Sequence, residues 1–246
     1  MASWTYGMFV WRELSTSDVQ GALRFYAGLL GWRSKKIDMP NGAYHLLFNG
    51  EKELGGMMAL EKGVDMPPYW MSYVSVPNVD AAVSSSKKLG GEPVWGPITV
   101  PDIGRMATVV DPRGAAFSMM RSVKGDPDFA PPQPGEFCWE QLASHDPATA
   151  KKFYAEVVEW SATPFDKDLE VFGIRGLGRQ AATLVPAKPP LTAGWMALVA
   201  VEDLQKACKR TEQLGGKLLG QPIEVKDLGS YVVIADPQGA RLGLFQ

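Results

Sequence analysis

The sequence has few of the side chains that usually carry metal or redox chemistry, since its 246 residues include two cysteines and two histidines. Two cysteines do not make a disulfide framework, and Cys138 and Cys208 each lie in an apolar segment. We therefore expect both to be reduced, buried thiols. The histidines are His45 and His145, and with these two no Ser-His-Asp arrangement can be proposed.

Long apolar runs and an excess of one charge are also missing. No stretch approaches the ~18 consecutive apolar residues of a membrane helix, and the first residues lack the basic and apolar regions of a signal peptide. A formal net charge of −2 gives no electrostatic reason to bind nucleic acid or an anionic membrane. The sequence predicts a cytoplasmic globular protein with neither kind of partner.

What the sequence does contain is an internal repeat. Segment 9–32 aligns with 137–160, pairing Trp11 with Trp139, and segment 70–97 aligns with 195–222. An Asp-Pro-x-Gly corner closes each copy. Between the copies, 122–136 is rich in proline and charge, which is typical of a linker. The predicted organisation is a first domain at 1–121, a linker at 122–136 and a second domain at 137–246.

The pattern of each copy predicts two successive modules, each with the order strand, helix, strand, strand, strand. In the first copy an alternating strand begins at Phe9, and Ser17 or Asp18 caps a helix that ends at Gly31. The other expected elements of this copy are strands near 43–49, 54–60, 70–76, 93–99, 104–110 and 115–121, and a helix from about 78 to 89. Four βαβββ modules of this kind predict an α+β fold.

These motifs resemble those of the vicinal oxygen chelate superfamily, which includes glyoxalases, bleomycin-resistance proteins and extradiol dioxygenases. A helix with Phe-Tyr that ends in Leu-Gly-Trp, a helix that ends in Leu-Gly-Gly and the Asp-Pro-x-Gly corner carry the resemblance. It is closest to the two-domain, glyoxalase-like bacterial branch. The resemblance implies two fused domains with curved, half-barrel sheets around clefts, paired as an intramolecular pseudo-dimer, so that the protein is a monomer or a homodimer.

The resemblance also implies where a divalent ion would be held, because enzymes of the superfamily place His, Gln or Glu on several strands that face the cleft. The matching positions here are Trp11, Met71, Met57 or Met58, and Ser118 in the first copy, and Trp139, Met196, Ala181 or Ala182, and Gly243 in the second. None of these side chains is a good donor for a divalent ion. We therefore expect no metal and no other cofactor.

With those ligands replaced, the resemblance implies an apolar cleft suited to a small hydrophobic or aromatic molecule. Six aromatic residues lie on strands expected to line it: Trp11, Trp70, Trp95, Trp139, Trp195 and Tyr231. For each of them, packing in the core is at least as well supported as contact with a ligand.

Glu13 and Gln141 are the most informative polar residues, because they occupy equivalent positions beside Trp11 and Trp139. Each either satisfies neighbouring groups or binds the ligand. In an apolar cleft, desolvation would raise the pKa of Glu13 and suit it to acid/base catalysis, with His45 and Tyr73 as candidate proton-transfer partners.

Three functions remain open, and the sequence leaves undecided whether the protein is an enzyme. The first is a protein that has lost the metal ligands and binds a hydrophobic or aromatic molecule. The second is a metal-independent isomerase, cyclase or lyase of secondary metabolism that uses Glu13. A metal-dependent lyase or dioxygenase ranks third.

Overall fold

A computed structural model describes residues 2–39, 42–61, 63 and 65–246. Modules 1 and 2 occupy the first copy of the repeat. Module 1 comprises β1 (Phe9–Thr16), α1 (Val19–Leu30), β2 (Arg33–Met39), β3 (Gly42–Asn49) and β4 (Lys52–Ala59). Module 2 comprises β5 (Tyr69–Ser75), α2 (Val79–Lys88), β6 (Glu92–Val100), β7 (Gly104–Val110) and β8 (Ala116–Ser122).

Modules 3 and 4 repeat this order in the second copy. Module 3 comprises β9 (Phe137–Ser144), α3 (Pro147–Val157), β10 (Trp160–Asp166), β11 (Leu169–Ile174) and β12 (Arg179–Pro186). Module 4 comprises β13 (Gly194–Ala200), α4 (Leu204–Gln213), β14 (Lys217–Leu218), β15 (Ile223–Val225), β16 (Gly229–Ala235) and β17 (Arg241–Phe245). Its third position is divided between two short strands, β14 and β15.

The strands form two large mixed sheets. Strands β1–β8 make one sheet in the order β2-β3-β4-β1-β5-β8-β7-β6, and the second has the order β10-β11-β12-β9-β13-β17-β16-β14, with β15 paired to β16. Within each module the first strand pairs in parallel with the last, as β1 does with β4. Four βαβββ modules in two mixed sheets confirm the predicted α+β fold class. In the part of the chain that the structure describes, no helix is long and apolar enough to span a membrane.

The helix signals in the sequence act as expected. The Asp18 carboxylate accepts a hydrogen bond from the Gly21 amide at 2.9 Å, so Asp18, and not Ser17, caps α1. Gly31 ends the helix in the left-handed conformation, with φ 72°. In module 3, Asp146 caps α3 and Pro147 occupies its first turn.

Packing divides the chain into two units that are discontinuous in sequence. The first unit contains Met1–Val10, Ser72–Ala130 and Glu140–Trp195, so it holds most of module 2 and most of module 3. The second contains Trp11–Met71, Pro131–Trp139 and Met196–Gln246, so it holds most of module 1 and most of module 4. The predicted boundaries of 1–121, 122–136 and 137–246 remain a prediction. Each sheet takes its strands from one copy of the repeat, whereas each packing unit contains residues of both copies.

Each unit has its own apolar core beneath its helices. In the first unit, Val109 and Phe117 of module 2 pack with Phe153, Tyr154 and Phe172 of module 3. In the second unit, Leu14, Phe25 and Tyr26 of module 1 share a core with residues of module 4, namely Val232, Ile234, Leu242 and Leu244. Each core therefore needs residues from both copies of the repeat.

The Asp-Pro-x-Gly corner connects the two modules of each unit. In the second unit the Tyr26 hydroxyl donates to Asp236 at 3.1 Å, and the same carboxylate accepts from the amides of Gln238 and Ala240. The first unit repeats this contact, since Tyr154 donates to Asp111 at 3.1 Å. Burial, and after it the charge of the neighbouring aspartate, raises the pKa of each tyrosine well above the ordinary value for tyrosine.

Candidate functional site

The sheet of module 1 has one face beneath its helix and one face away from it. Leu14, Met57 and His45 lie on the helix side, because they stand opposite one another in the strand register and Leu14 and Met57 belong to the core. Side chains alternate along a strand, so Glu13 lies on the other face, opposite Gly56. Trp11 and Tyr44 are on that face as well, by the same alternation.

A chain of hydrogen bonds joins the three polar groups on this face. The Trp11 indole Nε1 donates to the Tyr44 hydroxyl at 3.0 Å, and the Tyr44 hydroxyl donates to Glu13 Oε2 at 2.8 Å. Both bonds have good lengths, and the acceptor at the end is a carboxylate, which makes the second bond a strong one. The phenol therefore holds the carboxylate of the half-buried Glu13 in a fixed position.

Gly56 makes room for this arrangement. A Cβ atom built on Gly56 would overlap the hydroxyl and ring of Tyr44, so the aromatic ring lies directly over the glycine. Any larger residue at this position would displace Tyr44. The glycine in β4 is therefore needed to keep Tyr44 against the Glu13 carboxylate.

Exposed apolar side chains lie beside the Tyr44–Glu13 pair. Ile37, Tyr44 and Met58 stand in one row across β2, β3 and β4. Ile37 is 39% exposed, Met58 38% and Met39, two residues along β2 on the same face, 48%. We call this face the Glu13 surface, defined by Trp11, Glu13, Ile37, Met39, Tyr44 and Met58. It combines adaptable apolar side chains with one hydrogen-bonded carboxylate, and the exposed Lys35 stands on the same face in the row of Glu13.

His45 lies on the opposite side of the sheet from Glu13. It is 7% exposed, and burial, together with the charge of Lys36, lowers its pKa below the ordinary value. Among the described residues its Nδ1 atom has no hydrogen-bond partner. The structure thus does not bring together Glu13 and the histidine proposed as its proton-transfer partner, and places Tyr44 against Glu13 instead.

Tyr73 and Trp95 belong to a second row of side chains, in the first unit. Tyr73, Ser118, Thr108 and Trp95 stand opposite one another on β5, β8, β7 and β6. The Thr108 and Ser118 hydroxyls are 2.8 Å apart and hydrogen-bonded. Trp95 is 43% exposed at the edge of the row, whereas Tyr73 is buried.

The second copy of the repeat is closed at the equivalent positions. Gln141, which matches Glu13, is 4% exposed and stands opposite Thr183, which is 8% exposed. Gly243, which matches Ser118, lies under the side chain of Leu198, since a Cβ there would come within 2.7 Å of Leu198 Cγ. Gln141 and Thr183 are thus buried where Glu13 and Met58 of the first copy are half-buried and exposed.

The remaining candidate aromatic residues are buried or half-buried. Trp70 Nε1 donates to Tyr26 at 3.0 Å and Trp195 Nε1 to Tyr154 at 2.8 Å, so each indole extends one of the corner contacts described above. Tyr231 is 3% exposed on β16, and Trp139 is half-buried on β9. Of the six aromatic candidates, Trp11 and Trp95 lie on the faces with exposed apolar groups.

The side chains at the positions implied for a metal do not fit a divalent ion. Met57 is buried in the core on the helix side, Ser118 is bonded to Thr108, and Trp11 offers only an N–H donor. Through residues 2–39, 42–61, 63 and 65–246, no group of three or more His, Cys, Asp and Glu side chains is arranged to hold a metal ion.

Comparison with known proteins identifies the fold. A family model described as a glyoxalase-like domain matches residues 140–245. The chain is 26% identical to CFP32 of Mycobacterium tuberculosis (strain CDC 1551 / Oshkosh), provisionally named a glyoxylase, over 94% of this chain and 91% of that protein. It is also 26% identical to the anthracycline biosynthesis protein DnrV of Streptomyces peucetius, over 98% and 93% of the two lengths.

A solved structure agrees with these matches. The Mn(II)-bound glyoxalase from Novosphingobium aromaticivorans superposes with a TM-score of 0.66 at 14% identity, covering 98% of this chain and 82% of that one. The chain therefore has the fold of the vicinal oxygen chelate superfamily, and the resemblance inferred from its motifs is confirmed. Within that superfamily, the matches to its second half and to CFP32 are of the glyoxalase-like kind.

Sequence reasoning missed Tyr44 and the exposed row of Ile37, Met39 and Met58. In the segment "AYHLLF" it selected His45 by residue type, although adjacent strand residues point to opposite faces. The segment has no alternation of polar and apolar residues, so only the burial of His45 and Leu47 in the structure, against the half-buried Tyr44, assigns Tyr44 to the face of Glu13.

Proposed function

We propose that the Glu13 surface binds a hydrophobic or aromatic small molecule without a metal ion. The observation that carries this proposal is the exposure of three apolar side chains, Ile37, Met39 and Met58, around the hydrogen-bonded Glu13 and Tyr44. Apolar walls with a few fixed polar groups are typical of small-molecule sites.

The chemistry of the side chains supports this ligand class. Methionine adapts its shape and makes favourable contacts between sulfur and aromatic rings, and the Trp11 indole presents a flat apolar surface. The closed second copy supports a single site in the first copy, because Gln141 and Thr183 leave little exposed surface at the matching positions.

The relatives support an aromatic ligand. DnrV and the similar DauV of Streptomyces sp. are named anthracycline biosynthesis proteins, and anthracyclines contain fused aromatic rings. By extension we propose that this chain acts on or carries a molecule of comparable shape, inside the cytoplasm, as a monomer or a homodimer.

A matched pair of methionine substitutions tests the site. Met58→Lys places a charge within the Glu13 surface, whereas Met66→Lys places the same charge on a methionine that is 50% exposed in the loop before β5. A panel of fused-ring aromatic compounds is screened by thermal shift, and the affinities of those that bind are measured by calorimetry. We expect Met58→Lys to weaken binding at least about tenfold, or ~1.4 kcal/mol, and Met66→Lys to leave it unchanged. Equal affinities for both variants would remove the Glu13 surface as the site.

A second candidate function is a metal-independent isomerase, cyclase or lyase, and the fixed Tyr44–Glu13 pair favours it. A carboxylate held by a phenol beside apolar side chains is placed to take a proton from a bound molecule. In this reading Glu13 is the general base and Tyr44 positions it.

Deuterium exchange separates the two candidates. Compounds that bind are incubated in D2O with the wild-type protein and with Glu13→Gln, and their masses are followed. If the protein is an enzyme, the wild type should exchange hydrogen in the compound or convert it. Glu13→Gln should abolish that change in mass while it still binds the compound. A plain binding protein gives no mass change with either.

A further inference from the structure

We infer that the face of module 1 that carries the Glu13 surface selects aromatic acids over the corresponding neutral amides, and that Lys35 makes this selection. The inference rests on the proposed function, since it concerns what the same face binds. It narrows the ligand class to flat ring systems that carry a carboxylate.

One row of residues crosses the sheet of module 1 from an exposed lysine to Glu13. The row runs over four strands in the order Lys35, Leu46, Gly56 and Glu13. Neighbouring strands lie about 4.8 Å apart, so about 14 Å separates the backbones at the two ends. The residues between the ends carry no charge, and this interval is long enough for a fused aromatic ring system.

Lys35 is the end of this row that can meet a charge on a ligand. Glu13 and Tyr44 are bonded to each other, and each makes further contacts. Arg33, another cation on this face of β2, is paired with Glu51 at 2.8 Å. Lys35 is exposed, and among the described residues no carboxylate lies within ion-pair distance of its ammonium group.

The surroundings of Lys35 favour an aromatic acid over a small inorganic anion. Ile37 follows two residues along β2 on the same face, and Leu46 stands opposite Lys35. A ring can therefore pack on apolar side chains while its carboxylate accepts a charge-assisted hydrogen bond from the lysine ammonium. The exposed Glu53 belongs to the next row, opposite Phe48, so strand β3 separates it from Lys35.

The second copy has no charged residue in the equivalent row. That row contains, in the same order, Thr163, Val171, Thr183 and Gln141. The sheet of the second copy thus forms without a lysine or a glutamate at these positions. The fold shared by the two copies therefore does not require Lys35, which supports a role for Lys35 in what the first copy binds.

The test compares 2-naphthoate with 2-naphthamide, two molecules with the same rings and similar shape that differ in charge. Their affinities for the full chain are measured by calorimetry at neutral pH and low salt with the wild type, Lys35→Gln and Lys36→Gln. Lys36 is the matched control, because it is the next residue of β2, lies on the helix side opposite His45 and pairs with Asp38 at 2.7 Å.

For the wild type we expect 2-naphthoate to bind about threefold more tightly than the amide, which is within the range for an exposed ion pair. Lys35→Gln should reduce this ratio to near one, and Lys36→Gln should retain it. Lys35→Glu should reverse the preference. Salt at about 1 M should remove the preference of the wild type, because it screens the exposed charges.

The outcomes distinguish this inference from the proposed function. If the wild type binds both compounds with equal affinity, the inference is overturned while the proposed function stands. If neither compound binds up to its solubility limit, both are contradicted. If the preference survives Lys35→Gln, or if Lys36→Gln removes it equally, Lys35 is not the selecting group and the inference is wrong. Circular dichroism and the thermal midpoint of each variant show that a change in binding is not a loss of folding.

Discussion

At the scale of single residues, the two neighbours Tyr44 and His45 show how position in a strand decides role. Tyr44 faces away from the helix and bonds to Glu13, whereas His45 faces the core beside Leu47 and Met57. A residue that suggests catalysis by its type is thus enclosed among apolar side chains, and its neighbour supplies the polar contact.

The burial of His45 predicts a pH dependence of stability. Because its pKa is lowered in the folded state, the unfolded chain binds more protons as the pH falls below about 6.5, the ordinary value for histidine. Stability is therefore retained above that pH and lost as the pH falls, by at most about 1.4 kcal/mol per pH unit for this group. We expect His45→Leu to flatten the dependence of the free energy of unfolding on pH between about 6.5 and 5.

Urea unfolding at several pH values measures this effect, and His145→Gln is the control. His145 is exposed in the loop before α3, so its replacement removes a histidine without changing a buried side chain. An unchanged slope for His45→Leu would show that His45 does not titrate with unfolding.

At the scale of elements, the Asp-Pro-x-Gly corner does more than turn the chain. Gly114 and Gly239 adopt the positive φ of the turn, at 92° and 104°. The aspartate that precedes each glycine accepts from a tyrosine on a helix of another module, and a tryptophan donates to the same tyrosine. The Phe-Tyr helix and the corner, two separate motifs in the sequence, are one contact in the structure.

Removal of one hydroxyl tests this contact. In Tyr26→Phe the buried Asp236 and the Trp70 N–H each lose a partner, and we expect a loss of about 1–3 kcal/mol in the free energy of unfolding. Tyr154→Phe should behave alike in the first unit. Tyr69→Phe, at a half-buried tyrosine at the start of β5, is the control and should change stability by less than about 0.5 kcal/mol.

Chemical denaturation of the three variants gives the result. If Tyr26→Phe and Tyr69→Phe are equally stable, the tyrosine–aspartate contact contributes little and the apolar core alone holds the corner. A double variant with Asp236→Asn separates the two explanations, since a true pair shows losses that are not additive.

The sequence did not predict the bounds of one strand, β2, and the composition of that strand explains why. Strand β2 reads RSKKIDM and all seven of its residues are exposed. It has no alternation of buried and exposed residues, so the pattern that identifies half-buried strands is missing. Lysines on such an edge strand also discourage pairing with other chains, and only pairing with β3 identifies it as a strand.

At the scale of the whole molecule, each core draws on both copies of the repeat. Val109 and Phe117 pack with Phe153 and Phe172 in the first unit, and Phe25 shares its core with module 4 in the second. A segment that contains one copy therefore lacks half of each core.

We predict that fragments 1–136 and 137–246, expressed separately, show no cooperative unfolding as monomers. Mixed or expressed together, they should regain the transition of the intact chain, because both cores are then complete. The control is the intact chain cleaved at a protease site inserted after Asp128, which is exposed in the segment without helix or strand. A fragment that unfolds cooperatively as a monomer would show that one copy builds a sufficient core by itself.

The sequence by itself determined the repeat, the order of elements in each module and the resemblance to the superfamily fold, because these depend on local periodicity, on caps such as Asp18 and Asp146, and on motifs read along the chain. Tertiary structure decided which modules share a core and which side chains meet Glu13. Tyr44 bonds to Glu13 and covers Gly56, and Tyr26 contacts Asp236. Each of these contacts joins residues that are distant in the sequence. Such contacts follow from strand register and core packing, which no local pattern specifies.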